Sequence, residues 1–184
     1  FFFSFNDAAE SKNMDFKFLP SVASYKMFID KGYLDKVTYN LLSNAFKYTP
    51  SGGKVTFSVT VDEAKKQLVI SVADSGVGIP KEKRNELFKR FMQSSFSVSS
   101  VGVGLHLTHE LVCVHKGTIV YTENEGGGSI FTVSLPTDIS VYEEKDFLIP
   151  HNVLLEEEEV HHAAVLAEEI SAQEQLHDVL PPLP

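Results

Sequence analysis

Asp74-Ser75-Gly76-Val77-Gly78-Ile79-Pro80 is the stretch on which the reading of this chain turns. Before it, Gln67-Leu68-Val69-Ile70-Ser71-Val72-Ala73 is an apolar alternating run, the pattern of a strand. After it, Lys81-Glu82-Lys83-Arg84-Asn85-Glu86-Leu87-Phe88 predicts a helix over 81–91, entered through a proline. A carboxylate therefore ends a strand, and two glycines let the backbone pass close to something flat or anionic. A carboxylate repels phosphate but accepts hydrogen bonds from an amine, such as the exocyclic amine of adenine. Taken alone, Asp-x-Gly-x-Gly suits a plain two-glycine turn equally well.

Working outward, Tyr33 to Tyr48 carries Leu34, Val37, Leu41, Leu42, Ala45 and Tyr48 at helical spacing. Asn40 and Asn44 fall four apart, on one face of that helix. Asparagine is a mediocre helix former, because its amide competes for backbone partners. Two of them on one face suggest a task, although exposed or back-bonded amides would also explain the pair. Thr49-Pro50-Ser51-Gly52-Gly53 stops the helix, and Asp30-Lys31-Gly32 reads as a turn before it. Alternation predicts strands at 14–18, 25–29, 54–61, 118–123 and 129–135, besides the one leading into Asp74. Val101-Gly102-Val103-Gly104-Leu105 opens a helix to Val114, closed by His115-Lys116-Gly117. About five largely antiparallel strands with about three helices predict a two-layer α/β sandwich.

The charge is unevenly placed. Residues 151–184 hold eight acids and no lysine or arginine, so most of the net −9 belongs to the tail. A nearly neutral body with an acidic tail argues against a nucleic-acid partner. The lone Cys113 excludes an internal disulfide and a cysteine-based zinc site, and its apolar helical setting predicts a buried, inert thiol. No apolar run approaches the roughly 18 residues of a membrane helix. The absence of an initial methionine suggests an excised fragment.

Four pieces stand in order: Asn40-x-x-x-Asn44-Ala45-x-Lys47-Tyr48, Asp74-x-Gly76-x-Gly78, Phe88-x-x-Phe91 and Gly102-x-Gly104-Leu105. Together they resemble the catalytic ATP-binding domain of sensor histidine kinases, most like the module of hybrid two-component sensors. The resemblance covers residues 14–136. It implies a Bergerat-type fold, a mixed and mostly antiparallel sheet covered by helices, with residues 1–13 ending a preceding helical region. Residues 137–184 would be an acidic linker or tail, able to form a helix that docks on the body or on another copy.

The same resemblance implies the site. Asn44 would bind Mg2+, supported by Asn40, since an amide oxygen is a hard ligand suited to that ion. Lys47 would reach the phosphates and Tyr48 would lie against the adenine. Asp74 would accept the adenine amine, with Gly76, Gly78 and Ile79 beside the base. Gly102, Val103, Gly104 and Leu105 would present amide groups to the phosphates at a helix start. Phe88 and Phe91, with Arg90 between them, would anchor a lid formed by residues 92–101. Two positions depart from the family pattern: Ser99-Ser100-Val101 lacks a further glycine, and Gln93 stands where an arginine is common.

Hydrolysing relatives such as gyrase B resemble this chain but carry a glutamate at the place of Asn40, and an amide cannot act as a base. The implied activity is thus a phosphotransferase, a histidine protein kinase domain that holds ATP for an external acceptor. ATP or ADP, a histidine-bearing dimerisation domain and a response-regulator receiver domain are the implied partners. The domain would be cytoplasmic, with any membrane anchor of the parent protein upstream. The alternatives are a degenerate nucleotide-binding or docking module without phosphotransfer, and an ATP hydrolase.

Overall fold

In the computed structural model, residues 2–89, 104–143 and 146 are described. Phe1–Tyr142 forms one compact unit, and Glu143–Pro184 a second. Among the described residues the five strands are β1 (Asp15–Pro20), β2 (Lys54–Asp62), β3 (Gln67–Asp74), β4 (Thr118–Glu123) and β5 (Ser129–Pro136). The helices are α1 (Phe2–Ser11), α2 (Lys31–Tyr48), the four-residue α3 (Lys81–Arg84) and α4 (Gly104–Val114). A short 3-10 turn follows at Ile139–Val141. The sheet order is β1-β2-β3-β5-β4, with β1 parallel to β2 and the other neighbours antiparallel. This is the mixed α/β sandwich expected from the sequence.

Three local expectations need correction. Tyr25–Ile29 alternates but forms no strand. Met27 and Ile29 instead pack partly buried against the core, leaving Phe28 exposed. The helix foreseen over 81–91 lasts only from Lys81 to Arg84, and Asn85–Phe88 continue as turns. None of α3 is buried, so no packed face extends it. Cys113, expected inside, is exposed.

Asp30, foreseen in a turn, is the N-cap of α2, and its Oδ1 accepts from the Tyr33 amide at 3.2 Å. At the other end the Thr49 amide donates to Ala45 O at 3.1 Å, and Pro50 prevents continuation. The buried face of α2 carries Val37, Leu41, Leu42, Ala45 and Phe46. Leu41 and Leu42 are fully buried, each contributing on the order of 1.5–3 kcal/mol. Phe5 of α1 adds to this layer, its ring 5.1 Å from that of Phe46.

Strand alternation then fixes the site. In β3 the inward positions are Leu68, Ile70, Val72 and Asp74, all buried. The period of two carries the carboxylate onto the core face at the strand's end. In β5 the matching inward residues are Ser129, Phe131, Val133 and Leu135. The register Val72↔Phe131 and Ala73↔Ile130 brings Ser129 beside Asp74.

Candidate nucleotide-binding site

Asp74 is 5 % exposed. Its Oδ1 accepts from the Gly76 amide at 2.8 Å and from the Ser129 amide at 3.2 Å. Burial pushes its pKa above the usual carboxylate value, and the bonds from Gly76 and from the Ser129 amide and hydroxyl partly oppose that. The carboxylate is thus held rigidly and poorly solvated, the state of a specific acceptor.

The glycines follow from the same geometry. A Cβ on Gly76 would collide with the Tyr48 carbonyl and lie 2.9 Å from Asp74 Oδ1. The Val77 amide donates to Tyr48 O at 3.3 Å, tying the turn to the end of α2. Gly78 has φ +67°, a left-handed conformation suited to glycine. Ile79 is half-buried against the core, and its carbonyl accepts from Arg84 Nε at 2.9 Å.

The β4–β5 hairpin closes on the same turn. Gly128, φ +102°, leaves no room for a Cβ against the Asp74 backbone. Asn124 Nδ2 donates to Asp74 O at 2.8 Å. Ser129, Gly128 and Asn124 are absent from the motif reading. Only the hairpin register, extrapolated from the alternation of 129–135, could have pointed to Ser129.

Asn40 and Asn44 lie half-buried on one flank of α2. Asn40 Nδ2 reaches Gly104 O at 3.3 Å and Thr108 Oγ1 at 3.4 Å, while Thr108 Oγ1 donates to Gly104 O at 2.8 Å. Thr108 is fully buried, so this cluster pins the first turn of α4 to α2. Thr108 too is absent from the motif reading. Asn40 is thus occupied in joining two helices. Leu105 packs partly buried on the core beside it.

Tyr48 and Lys47 are exposed at the end of α2, with Lys47 Nζ 5.5 Å from the Tyr48 ring centre. Phe88 stacks on His109 of α4 at 5.5 Å, and His106 Nδ1 lies 3.0 Å from Phe88 O. Arg90, Phe91, Gly102, Val103 and the expected lid lie outside the described residues. The structure thus brings the Gly76 turn against the end of α2, Asp74 and Gly78 against the β4–β5 hairpin, and Asn40 against Gly104.

Among the described residues no cluster of three or more His, Cys, Asp or Glu could hold a metal. A magnesium ion here would have to share an amide oxygen with phosphate oxygens, a donor set that fits the ion's preference for few protein ligands. Asn44 and Asn40 each carry such an oxygen on this flank of α2, and the Asn40 side chain is anchored through its Nδ2 to α4.

Residues 29–139 match the family described as histidine kinase-, DNA gyrase B-, and HSP90-like ATPase. The chain belongs to this family of ATP-binding domains. Similar curated proteins include histidine kinases, some of them named as sensor kinases. The chain is 38 % identical over 143 residues to Histidine kinase P4 of Formosa agariphila, covering 73 % of this chain and 10 % of that protein. It is 40 % identical over 112 residues to sensor histidine kinase WalK of Bacillus subtilis, covering 59 % of this chain and 18 % of that one. Its span is therefore under a fifth of the length of these two relatives. The nucleotide-free catalytic domain of histidine kinase ThkA shares the fold, with TM-score 0.67 at 24 % identity, covering 74 % of this chain and 87 % of that one. Among the described residues no helix is long and apolar enough to cross a membrane.

Proposed function

We propose that residues 14–136 are the ATP-binding catalytic domain of a two-component sensor histidine kinase, which donates the γ-phosphoryl group to a histidine on a separate dimerisation domain. The observation that carries this reading is the buried Asp74 carboxylate, held by the Gly76 and Ser129 amides at the mouth of a glycine turn. In this reading Asp74 accepts the adenine amine, and Gly76, Gly78 and Ile79 bring backbone within reach of the base. Tyr48 covers the ring, Lys47 meets the phosphates as a point charge, and Asn44 supplies an amide oxygen to Mg2+. That ion, when bound, would neutralise phosphate charge. Gly104, held in place by Asn40 and Thr108, orients the start of α4 toward the phosphates.

Asn40 cannot deprotonate water, and its amide nitrogen is already bonded to α4. The nucleophile must then come from outside, from the acceptor histidine, before passage to a response-regulator receiver domain. The domain would work on the cytoplasmic side of its parent protein.

The test is titration calorimetry with ATP and ADP, with and without magnesium, then transfer from labelled ATP to a supplied acceptor-helix domain. Binding that magnesium strengthens, with transfer abolished by Asn44→Ala, is expected. Binding without transfer would make the chain a nucleotide-sensing module instead. No binding at millimolar nucleotide would remove the reading altogether.

A further inference from the structure

α3 reads Lys81-Glu82-Lys83-Arg84, all charged, and buries none of them. These four residues offer no apolar face to fix the segment, so its polar bonds matter more than usual. Arg84 makes two such bonds from two nitrogens of one planar group. Its Nε donates to Ile79 O at 2.9 Å, five residues back along the chain. Its Nη2 donates to Glu123 Oε2 at 3.0 Å, 39 residues on, at the end of β4. The guanidinium carbon lies 5.4 Å from the centre of the Tyr121 ring, also on β4, and the ring face attracts the charge.

The residue after Glu123 completes the pattern. Asn124 Nδ2 donates to Asp74 O at 2.8 Å. Two consecutive residues at the end of β4 therefore hold both ends of the glycine turn. Asn124 holds Asp74 directly, and Glu123 holds Ile79 through Arg84. Between these ends lie Gly76 and Gly78, whose backbone is freer than that of other residues and keeps one shape less readily unaided. The two Arg84 bonds differ in weight. The Glu123 side chain is 58 % exposed, so the ion pair is screened and contributes little by itself. The bond to Ile79 O is part-buried and charge-assisted, so it carries the greater share. A lysine would not replace it, since one ammonium lacks the paired nitrogens that serve Ile79 and Glu123 at once.

We propose that Arg84 is a positioning residue that sets the selectivity of the site for adenine over guanine. This rests on the nucleotide reading above, in which the turn from Asp74 to Ile79 recognises the base. In that reading Asn44, Lys47 and the start of α4 meet the phosphates, which every nucleoside triphosphate shares. Loss of the Ile79 bond frees the far end of the turn, while Asp74 stays held by Gly76, Ser129 and Asn124. Adenine then loses its fit between Asp74 and Ile79. A triphosphate bearing guanine, which gains nothing from that fit, is left as it was.

The test measures dissociation constants for Mg-ATP and Mg-GTP by calorimetry on the full chain. Arg84→Met keeps an unbranched stem against Tyr121 and removes both donors. It should weaken ATP binding about tenfold and GTP binding less than about twofold, narrowing the ratio between them. Arg84→Lys keeps the charge but not the fork and should narrow the ratio too; it carries the test alone should Arg84→Met fail to fold. Glu123→Gln removes only the screened ion pair and should change ATP affinity less than about twofold. The proposal is overturned by any of three results. The first is ATP affinity in Arg84→Met and Arg84→Lys equal to that of the parent. The second is an equal loss of ATP and GTP affinity, which marks a role in the fold alone. The third is a loss for Glu123→Gln as large as for Arg84→Met, which would move the role to the ion pair. A parent that binds neither nucleotide would overturn the nucleotide reading along with the proposal.

Discussion

Asp74→Asn separates a ligand-binding role from a structural one. Asparagine keeps the size and can keep an oxygen at Oδ1, so the bonds from Gly76 at 2.8 Å and Ser129 at 3.2 Å survive. The amide NH2 must then take the place of Oδ2. The Ser129 hydroxyl, which also bonds to the carboxylate, can reverse its role and accept. An incoming adenine amine cannot, so two donors face each other. A mismatch of this kind costs on the order of 1–3 kcal/mol, about a ten- to a hundredfold loss of ATP affinity. Stability should move the other way. Burial raises the Asp74 pKa, so at neutral pH the fold bears an unfavourable charge that asparagine removes. The assay pairs ATP calorimetry with thermal melting of the same samples. Equal ATP affinity in parent and mutant would refute the adenine contact. Loss of affinity together with a lower melting temperature would show that Asp74 serves the fold instead.

Three further outcomes are expected. Ser129→Ala removes a hydroxyl that lowers the Asp74 pKa, so that pKa rises further above the usual carboxylate value. The loss of ATP affinity on acidification should then begin at higher pH than in the parent, measured by calorimetry between about pH 5 and 8. Gly128→Ala combines strain at φ +102° with a clash on the Asp74 backbone, whereas Gly126→Ala at φ +83° meets nothing within 4 Å. Denaturant melts should show a loss of more than about 2 kcal/mol for the first and about 1 kcal/mol for the second. Truncation after Tyr142, the end of the first compact unit, should leave nucleotide affinity unchanged, because every proposed contact precedes it. A large loss by calorimetry would place part of the site in the acidic segment.

The sequence by itself determined the face on which Asp74 lies. A strict period of two from Leu68 through Ile70 and Val72 leaves the carboxylate no other side. It likewise determined α2, where six apolar positions at helical spacing and a proline stop agree with one another, while the capping role of Asp30 emerged only in the structure. Two of the failures were short segments whose local pattern had no partner. Tyr25–Ile29 alternates like a strand, but both sheet edges are formed by other segments. The stretch after Arg84 has helical spacing, but α3 buries nothing that would extend it. Tertiary structure alone decided the partners of the site residues. Ser129 meets Asp74 across 55 residues and Asn40 meets Gly104 across 64, through strand register and helix packing that no local window contains.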